Sequence, residues 1–319
     1  MEKVLSVFAA CLCGLTFFAP GTVCAEDSTD SSFPTEVFAP YVDTCDWPIY
    51  DLSDIYEKTG QKYYTLAFVV SDSDGQGIPT FGGYTEYSVA NEHYMDQVEY
   101  IRGKGGDVIV SFGGAINTSL ASAIDDVDTL ADTYQYVVDT YSLKWIDFDI
   151  ETDISDTTVV DRRNQAIKIL QDNNPDLQVS YTLPVMPSGL TDTGLAVISN
   201  ALENGVRVDC VNIMTMDYGI GGDMGENAIE AMDSLHSQLE ELYEEASQSK
   251  DSGEIWAMIG ATPMIGQNDV SSEYFSTDDA EEVLEYATEN NIKLLSMWSV
   301  NNDDSNYSYT TIFDQFTSS

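Results

Sequence analysis

The chain reads as a (β/α)8 barrel, one domain over residues 36–319 without a large α+β insertion, and three observations carry that reading. Strand-like and helix-like segments alternate eight times along it. Runs such as Asp107-Val108-Ile109-Val110 and Cys210-Val211-Asn212-Ile213-Met214 are nearly continuous in apolar residues, as parallel strands covered on both faces require. Glu151 closes the fourth strand, the end at which barrels carry their chemistry. A doubly wound open sheet is the competitor. It usually has fewer units, and no glycine-rich dinucleotide turn follows the first strand here.

In chain order, strands are expected at 37–43, 63–70, 107–112, 144–151, 179–183, 208–216, 255–261 and 292–300. Helices are expected at 52–58, 93–104, 127–141, 161–172, 195–203, 228–247, 278–289 and, weakly, 309–316. Asn173-Asn174-Pro175 and Asn204-Gly205 are helix stops, and Pro184 ends the fifth strand. No internal repeat or appended binding module is visible.

The chain opens on a short charged start and an apolar run at 4–18, then reaches Val23-Cys24-Ala25, which reads as a signal-peptidase site. Residues 1–25 are therefore a signal peptide, 26–35 a flexible polar leader, and the protein is expected to be secreted. The apolar run is short for a membrane span, so no membrane association remains after cleavage. A formal net charge of −43 repels nucleic acid and anionic lipid and favours a neutral or cationic substrate. Only Cys45 and Cys210 follow the signal peptide, so a large core rather than disulfides must hold the fold. Cys210 is expected as a small buried residue, unbridged. Two histidines, His93 and His236, are too few for a His-based metal site or a Ser-His-Asp triad and are read as helix-surface residues. No metal or cofactor is expected, and Asp72-Ser73-Asp74-Gly75 reads as a turn, since Gly83 stands where a calcium loop would close with Glu. A monomer is expected.

In the stretch 144–151, Asp147, Asp149 and Glu151 alternate with Phe148 and Ile150, the two-residue period of a strand. The three acids share one face. Gathering them in one cavity costs several kcal/mol per buried charge, so stability alone does not explain the pattern. At about 3.3 Å per residue each acid sits roughly 6–7 Å below the next, leaving Glu151 at the mouth. Such close carboxylates cannot all ionise, and a shared proton is expected. The other strand ends contribute Tyr41 and Asp43, Ser111, Tyr181, Met214, Met216, Asp217 and Tyr218, Met264 and Gln267, Trp298 and Asn301. Acids, amides, hydroxyls and a tryptophan at one mouth suit a sugar. Trp256 and the strand-seven methionines read as core.

Ser111-Phe112-Gly113-Gly114, Asp147-Phe148-Asp149-Ile150-Glu151, Met214-Thr215-Met216-Asp217-Tyr218 and Trp298-Ser299-Val300-Asn301, in that order, resemble the family 18 glycoside hydrolases, the chitinase family. Tyr181-Thr182-Leu183-Pro184-Val185 and the stretch 262–269 resemble its bacterial and archaeal branch. The likeness runs from about residue 37 to residue 303. It implies that Glu151 is the general acid, with Asp149 beside the substrate's N-acetyl group and Asp147 below, supported by Ser111. It further implies retaining, substrate-assisted cleavage of β-1,4-linked N-acetylglucosamine, without an enzyme nucleophile. Tyr218 would hold the acetamide oxygen and Trp298 would floor the subsite, with Asp217, Met214, Tyr181, Gln267 and Tyr41 as further binding residues.

Three positions depart from the family pattern. Lys144-Trp145 replaces an Asp-Gly pair, which alters support below the motif. Met216 stands in the usual tyrosine slot, with Tyr218 on the same face if the strand continues. Asn302 replaces an arginine. The short segment 263–277 leaves no room for an extra wall, so an open cleft suited to endo cleavage or short oligomers is expected. An endo-β-N-acetylglucosaminidase acting on N-glycans and a catalytically silent glycan-binding barrel are the alternatives.

Overall fold

Helix starts in this chain are marked by short oxygen-bearing side chains that accept the first free N–H groups. Asp51, Asp126, Asp156, Thr191, Asp223 and Ser276 each cap in this way. They open α1 (Leu52–Thr59), α3 (Val127–Tyr141), α4 (Thr157–Asn173), α5 (Asp192–Glu203), α6 (Met224–Glu245) and α7 (Thr277–Asn290). Two more helices, α2 (Met95–Arg102) and α8 (Ser308–Phe313), begin after a residue in the left-handed region. The computed structural model describes residues 33–317, which lie in one compact unit, Ser31–Ser319. The expected signal peptide and most of the leader lie outside the described residues.

Between the helices run eight parallel strands. The first, β1, comes in two pieces, Val37–Phe38 and Tyr41–Asp43. It is followed by β2 (Tyr63–Ser71), β3 (Asp107–Gly113), β4 (Trp145–Asp149), β5 (Gln178–Met186), β6 (Cys210–Met214), β7 (Ile259–Thr262) and β8 (Leu294–Leu295). Neighbours pair in sequence order, and the two pieces of β1 pair with β8 on one side and β2 on the other. One strand thus bonds both ends of the series, and the ring closes into the expected (β/α)8 barrel. Some boundaries shift. Residues Ser252–Trp256 form a short helix ahead of β7, and the ladder of β8 is two residues long.

Outward strand residues such as Val110, Ile146, Phe148, Val179 and Ile213 pack with the helices in one core. A smaller cluster fills the barrel floor: Val37, Ala39, Tyr63, Ile109, Trp145, Cys210 and Leu294. Trp145 is its largest member and is fully buried. Phe33 closes the floor from below, its ring 5.3 Å from that of Trp145. The departure at Lys144-Trp145 therefore puts a bulky plug beneath the acids, worth about 3–5 kcal/mol by the usual cost of truncating a buried aromatic. Cys45 and Cys210 are unbridged. His93 corrects the surface expectation: it is buried, stacked on Tyr87 at 4.2 Å, and its Nε2 bonds the Thr44 carbonyl. His236 is half-buried against Trp256, 4.4 Å between ring centres. Asp72 holds its turn by accepting from the N–H groups of Gln76 and Ile78.

Candidate active site

Asp147 sits in the middle of the barrel, 2 % exposed, with four hydroxyls around it. Tyr41 and Ser111 donate to its Oδ2 at 3.0 and 2.7 Å, and Ser180 and Thr182 to its Oδ1 at 2.5 and 2.9 Å. Parallel register builds this cage: Ser111 pairs across with Asp147, which pairs with Ser180, while Asp149 pairs with Thr182. Side chains level with one another on neighbouring strands point the same way. Burial raises the Asp147 pKa and the four donors oppose that rise. The plug participates too, since the Trp145 indole N–H donates to Ser180 Oγ at 3.1 Å.

Asp149, one step up, is 6 % exposed and its Oδ1 has no hydrogen-bond partner among the described residues. Burial, then the charges of Glu151 and Asp147, drive its pKa well above the carboxylate range. Glu151 is half-buried; burial raises its pKa and hydrogen bonding with Asp149 opposes the rise. Both carboxyls are thus pushed toward their protonated forms, which favours one proton held between Asp149 and Glu151 as the spacing leads one to expect. Gly113 makes the close approach possible. Its φ is +113°, and a Cβ there would stand 2.0 Å from the Asp149 carbonyl oxygen.

Above the acids lies a cleft of about 480 Å³. Glu151 and Asp149 line it, with Tyr41, Met214, Asp217 and Trp298 from the predicted set. Trp298 stacks on Phe68, ring centres 5.4 Å apart and 16° between planes. Ser111 and Asp147 lie beneath the lining and act through it.

Three predicted contacts are corrected. Tyr181 faces the helix layer, donating to Asn164 Oδ1 at 2.8 Å, because odd and even residues of β5 take opposite faces and its inward pair is Ser180 and Thr182. Tyr218 is absent from the cleft lining and its hydroxyl is buried. The strand ends at Met214 and Asp217 has φ +50°, so the alternation that would have aligned 218 with 216 is broken. Met216 lines the cleft instead. Gln267 is exposed in a two-residue hairpin strand and donates to the Glu273 carbonyl at 2.7 Å. Met264, named at the end of the seventh strand and read as core, is buried and also borders the cleft, whereas Asn302 is exposed outside the lining.

Asp43, expected at the end of the first strand, also lines the cleft, whereas Phe68, Asp46, Trp47, Tyr84 and Ile116 were missed. Trp47 and Ile116 are 82 % and 76 % exposed, and an apolar residue in a loop after a barrel strand is the signal that points to them. Among the described residues no group of three or more His, Cys, Asp or Glu could hold a metal ion, and no helix is long and apolar enough to cross a membrane.

A parallel barrel with a buried ladder of acids rising to a cleft at its C-terminal mouth defines a glycosidase-type site. The chain belongs to the family 18 glycoside hydrolases, the chitinase family. It superposes on the catalytic domain of the hyperthermophilic chitinase from Pyrococcus furiosus with a TM-score of 0.81 and 35% identity, covering 89% of this chain and 96% of that one. It is 39% identical over 287 residues to Endochitinase 11 of Metarhizium anisopliae, covering 85% of this chain and 53% of that protein. The same identity and span relate it to a probable bifunctional chitinase/lysozyme of Escherichia coli, of which it covers 31%. The chain thus spans about a third of one of these two relatives and about half of the other. No protein-family model matches it.

Proposed function

We propose that this chain is a secreted, monomeric, retaining hydrolase of β-1,4-linked N-acetylglucosamine, acting on chitin or its oligosaccharides through the substrate's own acetamide. The observation that carries the reading is the acid ladder, with Asp147 caged by hydroxyls beneath the cleft, Asp149 buried at its base with a raised pKa, and Glu151 half-buried beside it in the lining. On binding, the acetamide N–H meets Asp149 and favours its carboxylate form, and the proton passes to Glu151. Glu151 gives it to the glycosidic oxygen as that bond breaks, while the acetamide oxygen closes on the anomeric carbon to form an oxazolinium ion. Water then opens the ring with Glu151 as base, which returns the proton and the β configuration. Trp298 on Phe68 supplies an aromatic floor for a sugar face. Met216 and the buried Tyr218 leave the acetamide oxygen without the tyrosine contact expected from the motif.

The test is hydrolysis of chitotetraose by the secreted chain beside Glu151→Gln, with product anomers read by NMR. β-Anomeric products, reduced at least about a hundredfold in the variant, are expected. Binding with no cleavage by either protein identifies a silent glycan-binding barrel. Cleavage confined to the chitobiose core of N-glycans identifies an endo-β-N-acetylglucosaminidase.

A further inference from the structure

Glu273 is fully buried, yet it makes no ion pair among the described residues. A buried carboxylate without a cation is costly unless hydrogen bonds hold it. Two do: its Oε1 accepts from the N–H groups of Ile220 and Gly221, each at 3.1 Å. Its Oε2 has no partner among the described residues, and neither has the buried hydroxyl of Tyr218, whose pKa is raised by burial and then by the Glu273 charge. Glu273 therefore grips the segment that follows β6 from the segment that follows β7.

That grip continues at the cleft. Asn268 Oδ1 accepts from the Asp217 N–H at 3.3 Å, and Asp217 Oδ1 accepts from the Val270 N–H at 2.8 Å. The Asn268 N–H donates to the Glu273 carbonyl at 3.1 Å, joining the two anchors. Asp217 needs them. A non-glycine residue at φ +50° persists only where its surroundings impose it, and Gly219, Gly221 and Gly222 leave the segment little stiffness of its own.

We infer that Glu273 is a positioning residue that holds Asp217 in the cleft, where it meets the glycan. The inference rests on the reading that this cleft binds N-acetylglucosamine. Its test is a double-mutant cycle of Glu273→Gln with Asp217→Asn, read as chitotetraose affinity in a Glu151→Gln background and as kcat/KM with Glu151 intact. Glu273→Gln is expected to lower both by about tenfold, and to add nothing once Asp217 is Asn. Losses that multiply in the double variant, or an unchanged Glu273→Gln protein, overturn the inference. If Glu273→Gln fails to fold, Asn268→Ala replaces it in the same cycle with the same expectation and the same grounds for rejection. A parent that binds but never cleaves chitotetraose rejects the hydrolase reading, while the affinity cycle still decides Glu273. A parent that does not bind overturns both.

Discussion

The hydroxyl of Tyr41, on the first strand, reaches across the barrel to Oδ2 of Asp147 on the fourth, 3.0 Å away. It is also 2.9 Å from Thr182 Oγ1, so one ring ties three strands to the lowest acid of the ladder. Tyr41→Phe removes that donor and keeps the ring. A loss of about 1.5–3 kcal/mol in unfolding free energy is expected, as for a buried hydrogen bond to a charged acceptor. Urea unfolding, with the slope unchanged, measures it.

Asp149 makes stability depend on pH. Its folded pKa is raised by burial and by two neighbouring acids, so its contribution is full below the unfolded carboxylate range and is lost as pH climbs through the folded value. The thermal midpoint of the native protein is expected to fall as pH rises above the ordinary carboxylate range toward the raised folded pKa. In Asp149→Asn, which cannot ionise there, the fall is smaller. Comparing the two proteins cancels the effect of the overall acidity.

The loop after Glu151 is pinned by Arg163, whose Nη2 donates to both carboxylate oxygens of Asp153 at 2.7 Å. Both side chains are nearly buried, 4% and 11% exposed. The Arg163 charge and donors from Ser119 and Ser122 overcome burial and hold the Asp153 pKa down. Arg163→Ala strands that carboxylate and is expected to cost about 3–5 kcal/mol at pH 7. The cost shrinks as pH falls through the folded pKa of Asp153, because the pair is then lost in the parent as well. Chemical denaturation at two pH values gives both numbers.

Trp298 lies on Phe68 with its planes nearly parallel. Trp298→Ala is expected to weaken chitotetraose binding by about thirtyfold, the 2 kcal/mol of a well-packed aromatic anchor. Calorimetry in a Glu151→Gln background reads it without turnover.

Asp147 and Asp149 were legible because a two-residue period within a short strand leaves little freedom; the strand ends at Asp149, and Glu151, two residues further, lines the cleft beside it. Proximity to a strand end is a weaker guide than parity: Tyr181 pairs with Phe148 rather than with Asp147 or Asp149, which turns it to the helices. At Tyr218 the period was applied past the end of the strand, and a single positive φ at Asp217 undid it. The hydroxyl cage was half legible. Ser111 came with its motif, whereas Ser180 and Thr182 become visible only with the register between β4 and β5, which no local pattern encodes. His93 lies ahead of α2, which begins at Met95, so helical periodicity does not place it, and its Nε2 bonds the Thr44 carbonyl.

Loops of barrel enzymes are usually regarded as interchangeable parts, each altered without regard to the next. The buried carboxylate of Glu273 removes that independence from residues 217–222 and 266–275. Transplanting either segment alone into a relative would strand a charge in the dry interior or leave two amides unanswered. The pair behaves as one heritable cassette, and recombination between such enzymes should preserve activity only where its breakpoints fall outside 217–275.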